Sequence, residues 1–142
     1  MGWRLWEHTA DIGIDADGAD AGECLGHAAH ALAAIVTGTE EGLPLRGGSA
    51  QEFRVEAPDI QALAVAFLSE LLWLIESEGL LWTSGGVDVT IGEESAADAR
   101  ANMVRYDTRQ HGRGVEVKAV TYHQLFFGRD GDRWRLRVLL DI

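Results

Sequence analysis

The sequence predicts an α+β domain in which two helices pack on one side of a largely antiparallel sheet. Three observations carry this reading. Two segments place apolar residues at helical spacing, and several others alternate apolar with polar residues, as strands do. The order is strands, helix, strand, helix and then mostly strands, the pattern of an α+β layer architecture. The 142 residues suit one domain, taken as spanning 1–142, with a single sizeable core.

The first strand is predicted around Ile12, Ile14 and Ala16, which alternate with Gly13, Asp15 and Asp17. Asp20 then caps a helix, with Glu23 three residues on in capping-box spacing. Leu25, Ala28, Ala29, Leu32, Ile35 and Val36 follow at helical intervals, and Gly38 suits the stop. Phe53, Val55 and Ala57 alternate with Arg54 and Glu56 as a second strand. Pro58-Asp59 opens the second helix, whose stripe of Ile60, Leu63, Ala64, Phe67, Leu68, Leu71, Leu72 and Ile75 is wide enough to cover a sheet. Gly79 closes it.

Val87, Val89 and Ile91 form a strand after a Gly85-Gly86 turn, and Ala99, Ala101 and Met103 a weaker one. Val115 to Phe127 reads as a long β-branched strand. Asp130-Gly131 makes a hairpin turn into Trp134, Leu136, Val138, Leu140 and Ile142.

Charge and composition bound the function. The formal net charge of −11 is uneven. Up to Ala99 there are 3 basic against 18 acidic residues; from Arg100 onward, 9 against 5. A strongly acidic protein is repelled by phosphate backbones, so no strong direct nucleic-acid binding is expected, although the basic C-terminal third could touch RNA or an acidic partner. No apolar run approaches the ~20 residues a bilayer requires, and the N-terminus lacks a signal-peptide core. Cys24 is the single cysteine and has no internal disulfide partner. The cytoplasm is the expected location, with no membrane association.

The last strand carries the most chemistry. It stays strand-like to its final residue, so the terminus is expected to be tied into the sheet, whereas chain ends ordinarily fray. Its end brings together the Asp141 side chain and the terminal carboxylate of Ile142. Asp11 precedes a strand that could pair beside it, making three anions. Like charges at contact distance repel unless a cation intervenes. An all-oxygen set favours a hard ion such as calcium, magnesium or manganese. The plainer alternative, which periodicity alone favours, is that Asp11 caps a turn and the C-terminus is simply solvated.

Other chemistry is thin. Asp11, Asp15 and Asp17 fail as an EF-hand, because Asp20 and Gly26 stand where the loop needs glycine and glutamate. His27 and His30 lie three apart on a helix and could share a metal with a third ligand, but a surface pair is the stronger reading. His8 and His123 sit near strands beside Thr9 and Thr121, with no Gly-x-Ser-x-Gly elbow to supply a nucleophile. Gly47-Gly48 and Gly85-Gly86 lack the lysine or spacing of a phosphate loop. No catalytic constellation assembles, and catalytic residues and an organic cofactor are expected to be absent.

Three segments resemble signatures of the archease family. Glu7-His8-Thr9-Ala10-Asp11-Ile12-Gly13-Ile14, followed by Asp17-Gly18, is similar to its N-terminal block. Glu116-Val117-Lys118-Ala119-Val120-Thr121-Tyr122-His123 is similar to its second block, and Leu139-Leu140-Asp141-Ile142 to its ending. Together, in order and at this spacing, they are specific. The strand–helix–strand–strand run from Phe53 to Ile91 also resembles the SHS2 module in outline.

The archease resemblance implies a non-catalytic activator of the GTP-dependent tRNA-splicing RNA ligase. Such a helper promotes guanylylation of the ligase's active-site histidine, allows multiple turnover and can broaden nucleotide use. It further implies a divalent metal on Asp11, Asp141 and Ile142, with calcium expected in crystals and manganese or magnesium as alternatives. That set coincides with the three anions above and reverses the preference for the plainer reading. His8, Lys118 and His123 are candidate partner contacts.

There are departures from the family pattern. Gln61 stands where an early glutamate is usual, and Phe67-Leu68-Ser69-Glu70-Leu71-Leu72 replaces Trp-Leu-Asn-Glu-Leu-Leu. A Gly-Glu expected before the second block is not evident around Arg105-Tyr106-Asp107. The alternatives kept beside the coactivator are a metal-dependent phosphoester hydrolase and a general chaperone or adaptor.

Overall fold

The computed structural model describes residues 11–39 and 45–142. Within them, β1 (Asp11–Gly18) leads into α1 (Ala21–Thr37), then β2 (Ser49–Ala57) and α2 (Ile60–Trp73). β3 (Leu80–Thr90) and β4 (Ser95–Arg105) follow, then a short α3 (Thr108–His111). β5 (Ala119–Val120), β6 (Phe126–Asp130) and β7 (Arg133–Asp141) complete the chain.

The single sheet predicted is in fact two. One has the order β1-β7-β5, with β6 also on β7; the other has the order β2-β4-β3. Every pairing is antiparallel. Alternation shows that a segment is a strand and which face it buries, but not which strand it pairs with, so the division was not legible. Both helices touch both sheets: α1 packs on β1, β7 and β3, and α2 on β2, β4, β5 and β6. One core results, centred on Leu25, Leu32, Leu63, Phe67, Phe127 and Leu136.

The helices follow their predicted signals. The Asp20 carboxylate accepts from the Glu23 N–H at 2.8 Å, and Glu23 reaches back to the Ala19 N–H at 3.3 Å. The reciprocal bond of the capping box thus falls one residue early. Gly38, in the left-handed region at φ 73°, ends α1. Asp59 caps α2 through the Ala62 N–H. α2 loosens into a π-helical turn at Leu74–Glu78 before Gly79 closes it in the left-handed region. Together these 19 residues are long and apolar enough to cross a bilayer by composition, which corrects the expectation that no apolar run approaches that length. In the fold their Leu63, Ala64, Phe67, Leu68, Leu71 and Leu72 face the protein core.

Four expectations need correction. Gly85-Gly86 is no turn: β3 runs through both glycines, with a register shift between Trp82 and Ser84. A Cβ on Gly85 would stand 2.5 Å from the Arg100 carbonyl oxygen, so the glycine serves close strand approach. The long strand expected over 115–127 is broken. Gly114 and Val115 donate to carbonyls at the end of α1, Ala119–Val120 pairs with β7, and the chain then turns through Gln124 at φ 54°. The hairpin loop is Gly131-Asp132, one residue later than expected, closed by the Asp130–Arg133 pair. The strand–helix–strand–strand element is β2-α2-β3-β4 and ends at Arg105, not Ile91. α3, at four residues, is too short for periodicity to announce it.

Candidate functional site

The site is built by one strand pair. β1 and β7 run antiparallel in unbroken register from Gly18↔Trp134 to Asp11↔Asp141. Ile12, Ile14 and Ala16 face Leu140, Val138 and Leu136, whose burial fixes which face each strand turns inward. A one-residue slip would expose that whole set, so the inner face dictates the outer one. Outside, the cross-strand pairs are Asp17↔Arg135, Asp15↔Arg137, Gly13↔Leu139 and Asp11↔Asp141.

Along most of this outer face, acid meets base. Arg135 grips the Asp15 carboxylate with two bonds, at 3.0 Å and 2.8 Å, and lies 3.6 Å from Asp130. Arg133 pairs with Asp17 at 3.3 Å, and Arg137 approaches Asp15 at 3.8 Å. The Asp15 carboxyl is held below its ordinary range, first by the hydrogen bond from Arg135, against a smaller opposing effect of burial. The arginines stop at Arg137. Beyond it the register places Asp11 against Asp141, both exposed, and no arginine or lysine among the described residues forms an ion pair with either.

Directly opposed residues in an antiparallel pair have Cβ atoms about 4.5–5.5 Å apart. Two carboxylates at that spacing can converge on one cation at the roughly 2.3–2.6 Å typical of calcium–oxygen bonds. Ile142 follows at once, half-buried and packed against the core through its side chain. The third donor expected from the sequence, at Ile142, is a main-chain group, so the described side chains of the candidate set are Asp11 and Asp141. Among the described residues, no three His, Cys, Asp or Glu side chains gather as a metal cluster. Oxygen donors of this kind suit a hard, oxygen-seeking ion.

The predicted partner contacts divide. Lys118 and His123 are exposed in the segment beside β7. The Lys118 N–H donates to the Asp141 carbonyl at 2.8 Å, and the His123 N–H to the Thr121 hydroxyl at 3.3 Å. His8 lies outside the described residues, as does the first half of the N-terminal block.

His27 and His30 are both exposed and face a groove of about 410 Å³, shared with Asp20, Glu23, Asp88, Asp98 and Arg100. This groove lies between α1 and the β3–β4 sheet, away from the Asp11–Asp141 pair. His27 donates through Nδ1 to the Asp17 carbonyl at 2.6 Å. Partial desolvation of its ring, which lies edge-on to Trp82, and secondarily His27, push His30 below the usual imidazole range. Cys24 is buried, and burial pushes its thiol up to about 12, so it is no nucleophile at neutral pH.

The departure at Gln61 has a structural reason. Its amide donates to the Phe127 carbonyl and accepts from the Phe127 N–H at 2.9 Å, stitching α2 to β6. An ionised glutamate accepts but cannot donate, so the amide satisfies both groups where a carboxylate would satisfy one. Sequence reasoning missed this contact, since nothing local connects positions 66 residues apart.

A two-sheet α+β domain that displays a carboxylate pair at the end of its last strand is thus the class defined by fold and site. Residues 3–142 match the Archease protein family (MTH1598/TM1083), and the chain belongs to that family. It is 34% identical to Protein archease of Methanosarcina barkeri, covering 99% of this chain and 95% of that one. To Protein archease of Pyrococcus furiosus it is 32% identical, with 99% and 98% covered.

The solution structure of Methanobacterium thermoautotrophicum protein 1598 superimposes with a TM-score of 0.72 at 26% identity, covering 96% of both chains. The crystal structure from Thermotoga maritima, described as an archease and possible chaperone, gives 0.61 at 23% identity, with 100% of this chain and 98% of that one covered. The last of these bears on the fold alone. Membership in the family supports a chaperone-like or activator role.

Proposed function

We propose that this protein is a non-catalytic coactivator of the GTP-dependent tRNA-splicing RNA ligase, acting in the cytoplasm. It promotes guanylylation of the ligase's active-site histidine, sustains multiple turnover and broadens nucleotide use. The single observation that supports this most is the acid–acid register of Asp11 and Asp141 beside the chain end, in a family member. In this reading Asp11, Asp141 and the Ile142 carboxylate hold one divalent ion: calcium in crystals, manganese or magnesium as alternatives. The ion supplies positive charge for a nucleotide phosphate or for the ligase's own acidic groups. This chain's part is to hold the carboxylates at an exposed edge where a partner can reach them. His8, Lys118 and His123 flank that edge in sequence or structure and contact the ligase.

A guanylylation assay with purified ligase, with and without this chain, tests the proposal. The wild type accelerates histidine guanylylation, and Asp11→Ala and Asp141→Ala each lose that effect while keeping the wild-type circular dichroism spectrum. Full activation by both variants refutes the metal-dependent mechanism. A second reading, a general chaperone, is favoured by the chaperone-like or activator role that family membership supports. It predicts protection of unrelated clients that ignores chelators and Asp141→Ala.

A further inference from the structure

The register of β1 and β7 places Asp11 against Asp141 but ends there. The carboxylate of Ile142 lies beyond the last paired residue, so something else must set its direction. The second signature block, Glu116–His123, runs along the other edge of β7 at this point. Its Lys118 N–H donates to the Asp141 carbonyl at 2.8 Å, and Ala119 stands opposite Asp141. Thr121 holds the Leu139 carbonyl twice, through its N–H at 3.0 Å and its hydroxyl at 2.9 Å.

A carbonyl oxygen has two lone pairs, and one residue fills both. Because the peptide unit is planar, fixing the Asp141 oxygen also orients the nitrogen and Cα of Ile142. β5 is only two residues long, so its ladder alone is a weak grip on a chain end. The threonine hydroxyl adds the bond that short pairing lacks. It also accepts from the His123 N–H at 3.3 Å, tying the following turn to the same point.

We propose that Lys118–Thr121 is a clasp that presents the last two residues to the divalent ion, with the Thr121 hydroxyl as its positioning group. Thr121 touches neither the ion nor the partner; it acts through the backbone of β7. This assignment rests on the ion site proposed above.

The test is calorimetric titration of the untagged full chain with Mn2+ alone, well below Tm. Wild type, Thr121→Val, Thr121→Ala, Thr121→Ser and Asp141→Ala are compared. Loss of one neutral hydrogen bond should weaken Mn2+ binding about two- to tenfold in Thr121→Val and Thr121→Ala. Thr121→Ser, which keeps the hydroxyl, should bind as the wild type does. Hydrogen exchange near the C-terminus should rise in the first two and not in the third.

Wild-type affinity in both Thr121→Val and Thr121→Ala overturns the clasp, even if Tm falls. Equal weakening in Thr121→Ser also overturns it, since packing would then be the cause. Failure of the wild type to bind Mn2+, or unchanged binding by Asp141→Ala, overturns the ion site and the clasp with it.

Discussion

The two ends of the β1–β7 outer face obey opposite charge rules on the same backbone. From Asp17 to Asp15, each carboxylate of β1 meets arginines of β7, and the charges are settled within the chain. At Asp11 the same register sets acid against acid. Like charges directly opposed in a sheet are destabilising, while opposite ones contribute about 0.2–1 kcal/mol. The strand pair therefore holds its own shape at one end and, among the described residues, leaves two carboxylates without a basic ion-pair partner at the other. The proposed function sits at the end where the pairing rule is broken.

Making the acidic end resemble the ladder is the strongest perturbation of this contrast. Asp141→Arg should weaken Mn2+ or Ca2+ binding by more than about a hundredfold, beyond the range that loss of a supporting group costs a metal site. It should also stabilise the ion-free protein by about 0.2–1 kcal/mol through the new opposite-charge pair. In the wild type, ion at about a hundred times Kd should add about 2.7 kcal/mol of stability, and the variant should show no such gain. Differential scanning calorimetry with added ion or with chelator measures both. An ion-dependent Tm that persists in Asp141→Arg would place the ion elsewhere.

Weakening the ladder instead should leave ion binding alone and change acid stability modestly. Asp15 is held low chiefly by its hydrogen bond from Arg135. A depressed carboxylate contributes stability that is present above its unfolded value of about 3.9 and is lost as pH falls through its folded value. Arg135→Ala should therefore lower Tm by a few degrees at neutral pH and by almost nothing in strong acid, with surface exposure keeping the effect small. A Tm loss of equal size at both pH values would show that packing of the arginine stem matters more than its charge.

The legible parts of this fold were those whose physics is local. Asp20, Gly38, Asp59 and Gly79 announce the ends of two helices because capping acts within one turn. The alternation in β1 and β7 gave the inner faces, and hence which residues share the outer face with Asp11 and Asp141. What stayed hidden depends on residues far apart. The division into two sheets, the passage of β3 through Gly85-Gly86, and the Gln61–Phe127 stitch each join segments with no common local pattern. The segment over 115–127 misled for a related reason. Its β-branched composition is real, but Gly114 and Val115 find their partners on α1 instead of in a sheet.

For the site itself, sequence placed three anions at the chain's extremities. The structure adds the strand register that brings Asp11 and Asp141 face to face. It also shows Lys118 and Thr121 holding the strand that carries the chain end. His27 and His30, which the sequence set aside as a surface pair, are exposed on α1 along a separate groove.

The most direct measurement is an anomalous difference map from crystals of the untagged chain grown with Mn2+. One peak should stand between the carboxylates of Asp11, Asp141 and Ile142, at about 2.1–2.6 Å from an oxygen of each. Crystals soaked with Mn2+ that show density only elsewhere, or Asp11 and Asp141 turned apart with water between them, would contradict the account.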